Sequence, residues 1–303
     1  MTINELVQEY LIHASGYYRD ARGRATNSIS SIRPALRMLD ETFGTLSAEA
    51  LGPLKLIECR QQWVDKGISR NTCNKYTHIV RRAFRWAVSQ EKISVTVYQS
   101  LLTVDALKKG RSNARETEPV TPVPAHDLKW ARRELPAPLK AVVDLQLLVP
   151  ARPSELLLLR PCDIDMADPQ VWFVRLDEHK TAYRGRVRDI AFGPRAQEIL
   201  QPFLQREGEA YLFNPRDVAG FGPRARDRYT VSHYRWHIAR ACQRAGVSHW
   251  HPYRLKHNAA TAIRSRYGLE AAQVACGHER ADITEIYAER DRALLIKVTT
   301  EMG

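Results

Sequence analysis

The sequence predicts a mainly α protein of two domains, an all-helical one followed by a mixed, mostly helical one that carries a small antiparallel sheet. Three observations lead there. Apolar residues recur at helical spacing through the first hundred positions, with no strand-like alternation. A proline-rich, basic segment without apolar periodicity then interrupts the chain. Two short β-rich runs flank a polar tip in an otherwise helical remainder.

In the first part, Leu6/Val7/Tyr10/Leu11, Ile29/Ile32/Leu36/Leu39 and Tyr76/Ile79/Val80/Ala83/Phe84/Ala87/Val88 each place a stripe on one helix face. Between Ala106 and His126 the text becomes ALKKGRSNARETEPVTPVPAH, with three prolines and four basic residues. The expected organisation is therefore a helical domain over 1–105, a linker over 106–125 and a second domain over 126–303. That second domain opens with helices near 126–134, 138–149 and 153–160. The runs VWFVRLDE and RVRDIAF then read as a hairpin around HKTAYRG, and helical patterning returns from about 195.

A net charge of +12 points toward a polyanionic partner, nucleic acid first. Residues 1–120 hold 18 Lys/Arg against 12 Asp/Glu, half of the excess, so both domains would face that partner. The five cysteines (Cys59, Cys73, Cys162, Cys242, Cys276) are scattered and never form a C-x-x-C pair, which argues against a disulfide framework or a zinc site. With no apolar run long enough to span a bilayer and acids in the opening MTINELVQEY, the expectation is an untargeted cytoplasmic protein without a membrane role.

From Lys66 to Gln90 the chain carries Lys66, Arg70, Lys75, Arg81, Arg82 and Arg85 and no acid, opposite the apolar stripe that includes Ile79 and Phe84. Surface helices usually mix both signs, so this cationic face is expected at DNA phosphates, together with Asn74 and with Lys108 and Lys109 of the linker.

In the second domain five features follow in order: ARPSELLLLRPCDID at 151–165, EHKT at 178–181, HPYRLKHNAAT at 251–261, CGH at 276–278, and Tyr287. This order resembles the catalytic domain of the tyrosine recombinase (phage integrase) family, which includes the Xer and Cre-type enzymes. The resemblance covers about 125–295. The first domain is similar to that family's helical core-binding (SAM-like) domain, most recognisably in SRNTCNKYTHIVRRAFRWAV at 69–88.

The resemblance implies the following roles. Arg152 matches the family's first arginine and Glu155, three residues on, the acid that orients it. Val149 and Pro150 stand where the family usually has Thr-Gly. Lys180 near the hairpin tip matches the lysine that protonates the leaving 5′-oxygen. His278 lies nine residues before Tyr287, the family's spacing between a late histidine and the nucleophile. Asp282 and Glu285 make a capping box that starts the helix of Tyr287.

The family's H-x-x-R motif can be laid on this chain in two registers. One puts Tyr253 and Lys256 at its two positions, with His257 as the histidine that follows. The other recovers a literal motif in His251 and Arg254. The first suits Pro252 at the start of a helix, with Tyr253 and Lys256 one turn apart and Arg254 about 200° away from Lys256. Lysine there keeps the charge and loses the planar two-pronged donor.

What the resemblance implies is site-specific recombination through a covalent 3′-phosphotyrosine, with no cofactor and no metal, on double-stranded DNA. Four protomers would assemble on two sites, from a monomer or dimer when free, with ALLIKVTTEMG at 293–303 docking on a neighbour. The alternatives are a recombinase-derived protein that binds DNA with little or no cleavage, and a type IB topoisomerase-like activity that relaxes DNA without joining two sites.

Overall fold

The computed structural model describes residues 1–19, 23, 25–176, 188–218 and 226–277. The chain divides into two compact units, Met1–Pro119 and Val120–Gly303.

Among its described residues the first unit is built from the α-helices α1 (Ile3–Tyr17), α2 (Ile29–Phe43), α3 (Pro53–Asp65), α4 (Arg70–Ser89) and α5 (Val95–Leu102). Thr2 starts α1 with a reciprocal cap. Its hydroxyl accepts from the Glu5 N–H at 3.2 Å, and the Glu5 carboxylate accepts from the Thr2 N–H at 2.8 Å. The apolar stripes meet in one core that includes Leu6, Leu36, Trp63 and Phe84. The acid-free stretch is not one helix from Lys66. Lys66 closes α3, Gly67 turns with φ of 72°, and α4 begins at Arg70. Lys66 therefore does not share the α4 face.

The second unit contains α6 (Ala125–Arg133), α7 (Ala137–Leu148), α8 (Pro153–Leu156), β1 (Ile164–Asp165), β2 (Trp172–Leu176), β3 (Arg188–Phe192), α9 (Pro194–Leu200), α10 (Val231–Ala245) and α11 (Tyr253–Cys276). The strands form an antiparallel sheet in the order β1-β2-β3, with Val174 opposite both Ile164 and Ile190. Those three side chains are buried while Phe173 faces outward, the period-two alternation of a sheet with one covered face. The helix expected near 153–160 is a single turn, because Arg160 precedes Pro161 and is driven to extended backbone (φ −128°, ψ 155°). Buried on most sides, α7 packs against α6, α8, α9 and α11.

Gly268 breaks α11 with φ of 88° and ψ of 179°, a conformation that glycine adopts without Cβ strain. The expected linker segment is anchored rather than free. Leu107 exchanges two hydrogen bonds with the Asn74 side chain and the Arg115 carbonyl accepts from the Arg70 N–H, all within the first unit. Val123 exchanges two with the Asn258 side chain within the second.

Candidate active site

After α7 ends, the Ala151 N–H bonds back to the Val149 carbonyl at 2.7 Å, a three-residue turn around Pro150. Arg152 follows in extended conformation and leads into α8. Glu155 fixes it from two sides, accepting the Arg152 backbone N–H at 2.7 Å and the Nη1 donor at 2.6 Å. The carboxylate is only 4% exposed and the arginine side chain 26%, so an almost buried acid holds one edge of a guanidinium that still reaches solvent. The remaining N–H donors of Arg152 can serve an anion.

The second cationic feature lies at the start of α11. His251 is outside the helix, its ring perpendicular to that of His249 at 4.6 Å. Tyr253 is the first helical residue and is exposed. Arg254 turns toward the incoming chain and donates to the Thr121 carbonyl (2.7 Å), the Thr121 hydroxyl (3.1 Å) and the Pro122 carbonyl (2.8 Å).

Lys256 turns the other way. It is 6% exposed, and its Nζ lies 3.4 Å from the Cys276 carbonyl oxygen. A straight helix would separate residues 256 and 276 by about 30 Å; the break at Gly268 is what brings the end of α11 back to its beginning. Lys256 is thus held next to Gly277, the residue before His278. His257 has its pKa lowered by burial and then by the Lys256 and Arg254 charges, and His251 by burial and then by His249, Arg235 and Arg254. Both are held toward the neutral form.

A buried amide joins these two features. Gln146 Nε2 donates to the carbonyl of Ala151 (3.3 Å), just before Arg152, and to that of Pro252 (3.5 Å), at the start of α11. The turn that carries Arg152 and the helix that carries Lys256 therefore begin side by side. Lys180, His278 and Tyr287, the Asp282/Glu285 cap and the segment 293–303 lie outside the described residues.

On α4 the expected DNA-facing residues separate into two rows. Arg81 donates to the Leu101 carbonyl at 2.9 Å and to the Val104 carbonyl. Arg70 bonds Glu116 at 2.6 Å and the Leu107 carbonyl at 3.1 Å. With Asn74, these side chains spend their polar atoms inside their own unit. Lys75, Arg82 and Arg85 form a second row, exposed along with His78, and Lys108 and Lys109 are exposed as well. Arg82 is set in place by the Tyr10 hydroxyl at 3.1 Å and by the Tyr18 ring, 5.2 Å from its guanidinium carbon.

A further cationic face lies on α10, where the sequence carries a signal not singled out above. This helix has three arginines and two histidines and no acid, the same signal that marked α4. It buries Tyr234, Ile238, Ala241 and Cys242 and exposes His233, Arg235, Trp236 and Arg240. Trp236 is 57% exposed and carries the Arg240 guanidinium 5.4 Å above its ring. A cleft of about 390 Å³ bordered by the Val149–Pro150 turn and Gly277 is lined mostly by apolar groups such as Phe173, Ile190 and Val274, a poor lining for an anion. Among the described residues no three metal-ligating side chains cluster, and no helix is long and apolar enough to cross a membrane.

The sequence model described as the phage integrase family matches residues 126–293. Tyrosine recombinase XerC of Pseudomonas putida is 32% identical over 108 residues, 35% of each chain, so that alignment spans about a third of the relative's length. XerC of Corynebacterium efficiens is 26% identical over 274 residues, 88% of this chain and 81% of that protein. Among solved structures, a λ integrase (75–356) dimer bound to a COC′ core site matches with a TM-score of 0.73 at 15% identity, covering 96% of this chain and 97% of that one. The Tn1549 transposon integrase in complex with transposon right end DNA matches with a TM-score of 0.73 at 19% identity, covering 100% and 99%. At these identities the structural matches establish the fold.

Proposed function

The chain belongs to the phage integrase family, and on that premise we propose that it is a site-specific DNA recombinase that cuts and rejoins strands through Tyr287. The observation that carries the reading is the shared anchoring of Ala151 and Pro252 by Gln146, which sets a guanidinium and an ammonium on adjacent supports, as a scissile phosphate requires.

A phosphodiester is negative and repels nucleophiles, and a phenol with an ordinary pKa near 10 is mostly protonated at neutral pH. Arg152 and Lys256 neutralise the non-bridging oxygens as charge builds on the pentacoordinate phosphorus, and His278 adds a hydrogen bond. The Tyr287 hydroxyl gives up its proton to water as its oxygen forms the new bond to phosphorus, giving a 3′-phosphotyrosine. The bond to the 5′-oxygen breaks, and Lys180 supplies that oxygen with a proton. Attack by the 5′-hydroxyl of a second strand reverses the steps and frees the tyrosine. The covalent link conserves the bond, so strand exchange needs no nucleotide cofactor.

The partner in this reading is double-stranded DNA in the cytoplasm, with four protomers on two sites and 293–303 docking between neighbours. Phosphate contact falls to Lys75, Arg82 and Arg85 on α4, to Lys108 and Lys109, and to the exposed row of α10. Arg70, Asn74 and Arg81 brace the first unit instead.

The test is adduct trapping on a nicked suicide substrate whose site has been selected from random DNA. The expected outcome is a covalent adduct with the wild type, and none with Tyr287→Phe at nearly unchanged affinity. An adduct surviving in that variant removes Tyr287 from the role. No adduct with the wild type leaves a DNA-binding protein, and relaxation without joining of sites marks a topoisomerase.

A further inference from the structure

Gln146 is 0% exposed on α7, where its buried neighbours are Leu139, Val142, Val143 and Leu145. Its amide touches three other parts of the unit. The Oε1 accepts from the Tyr234 hydroxyl of α10 at 3.0 Å, while Nε2 donates to the Ala151 and Pro252 carbonyls at 3.3 and 3.5 Å. Carbonyl oxygens only accept, so the two of them require the NH₂ end and leave the oxygen for the tyrosine; the orientation of the amide follows from its partners. Tyr234 is itself fully buried, and burial raises its pKa well above the ordinary phenol value, so it stays a donor.

A leucine would fill a similar volume without burying an amide, which costs free energy unless every polar atom is bonded. What leucine could not do is hold two backbone carbonyls from separate segments on one nitrogen. We infer that Gln146, backed by Tyr234, is a positioning residue of the cleavage reaction: it sets the spacing between the Arg152 turn and the start of α11, and hence between the two cations that grip the phosphate. Transition-state stabilisation by fixed charges depends steeply on their placement, so loosening this tie costs rate more than affinity. The inference rests on the recombinase reading for its chemistry, while the tie itself is a property of the free protein.

The test compares Gln146→Leu, Tyr234→Phe and the double variant in the full-length chain. Gln146→Leu orphans the tyrosine hydroxyl and is expected to lower Tm and to slow single-turnover cleavage at least about tenfold, with DNA affinity within about twofold. Adding Tyr234→Phe removes the orphaned hydroxyl, though not the loss at the Ala151 and Pro252 carbonyls, and should recover part of the Tm without recovering cleavage. If cleavage returns together with Tm, Gln146 is a packing residue and the inference falls. Should Gln146→Leu fail to fold, the double variant, an apolar pair of similar shape, gives the same comparison with wild type.

Hydrogen exchange in the absence of DNA supplies a second readout. Amides of 152–157 and of 253–257 should both exchange faster in the two Gln146→Leu backgrounds, and unchanged exchange in both segments overturns the tie. A wild type that exchanges as expected and forms no adduct condemns the recombinase reading alone.

Discussion

Arg254 and Lys256 stand two positions apart on one helix and serve opposite sides of it. The guanidinium holds the Thr121 and Pro122 carbonyls, and the ammonium lies buried at 3.4 Å from the Cys276 carbonyl. A separation of about 200° around the helix axis makes the two roles exclusive. Of the two cations in HPYRLKH, the lysine is the one turned toward the far end of α11, and the proposed phosphate contact is given to it on this ground.

The first prediction is a ranking. Lys256→Ala should slow single-turnover cleavage by about a hundredfold or more, the scale of removing one donor from a transition-state anion hole. Arg254→Ala leaves Val123 still tied to Asn258 and should cost about threefold or less, since it removes only neutral carbonyl and hydroxyl partners near the surface. A larger loss at Arg254 reverses the register.

The second concerns Glu155. Glu155→Gln keeps its shape but turns a charge-assisted hydrogen bond into a neutral one, so the guanidinium of Arg152 is oriented less firmly. Cleavage should drop by roughly tenfold while Kd for DNA moves by no more than about twofold, measured on one substrate in one buffer. Equal losses in rate and affinity would make the pair a binding element only.

The third uses salt to separate the two rows of α4. Neutralising Lys75, Arg82 or Arg85 should flatten the log–log dependence of DNA affinity on salt by about 0.9 for each phosphate no longer bound. Arg81→Ala should instead leave that slope unchanged and lower Tm, because its donors close the end of α5. The same assay tests α10: Trp236→Ala and Arg240→Ala should weaken DNA binding at unchanged Tm.

The fourth is a pH dependence. His237, His251 and His257 all have pKa values lowered first of all by burial. An imidazole whose folded pKa lies below its unfolded value binds more protons when unfolded, so stability is complete above the ordinary value of about 6.5 and falls as the pH drops through that value toward the folded pKa. Tm should therefore decline as the solution is acidified from neutral pH, and His257→Gln should make the decline shallower. A Tm that rises on acidification would mean that these histidines are charged in the fold.

Much of this protein is legible one residue at a time. Helical periodicity located α1, α2 and α4, two β-rich runs around a polar tip located β2 and β3, and the family resemblance picked out Arg152 and Glu155, whose three-residue spacing fits an ion pair, because each pattern depends only on neighbours along the chain. Spacing along the chain does not say what a face meets. Arg70, Asn74 and Arg81 read as one cationic surface with Lys75, Arg82 and Arg85, and only packing against Leu101, Val104 and Leu107 turned the first row inward.

Gln146 reads as an unremarkable polar residue until three partners, one 106 positions away, converge on its amide. The reversal at Gly268 that returns Cys276 to Lys256 has no signature beyond one glycine in a helical run. The sequence alone determined the local geometry and the order of the chemical groups. The tertiary structure decided which charges are spent inside the fold and which are left at the surface, since that depends on burial and on hydrogen-bond partners brought together from distant parts of the chain.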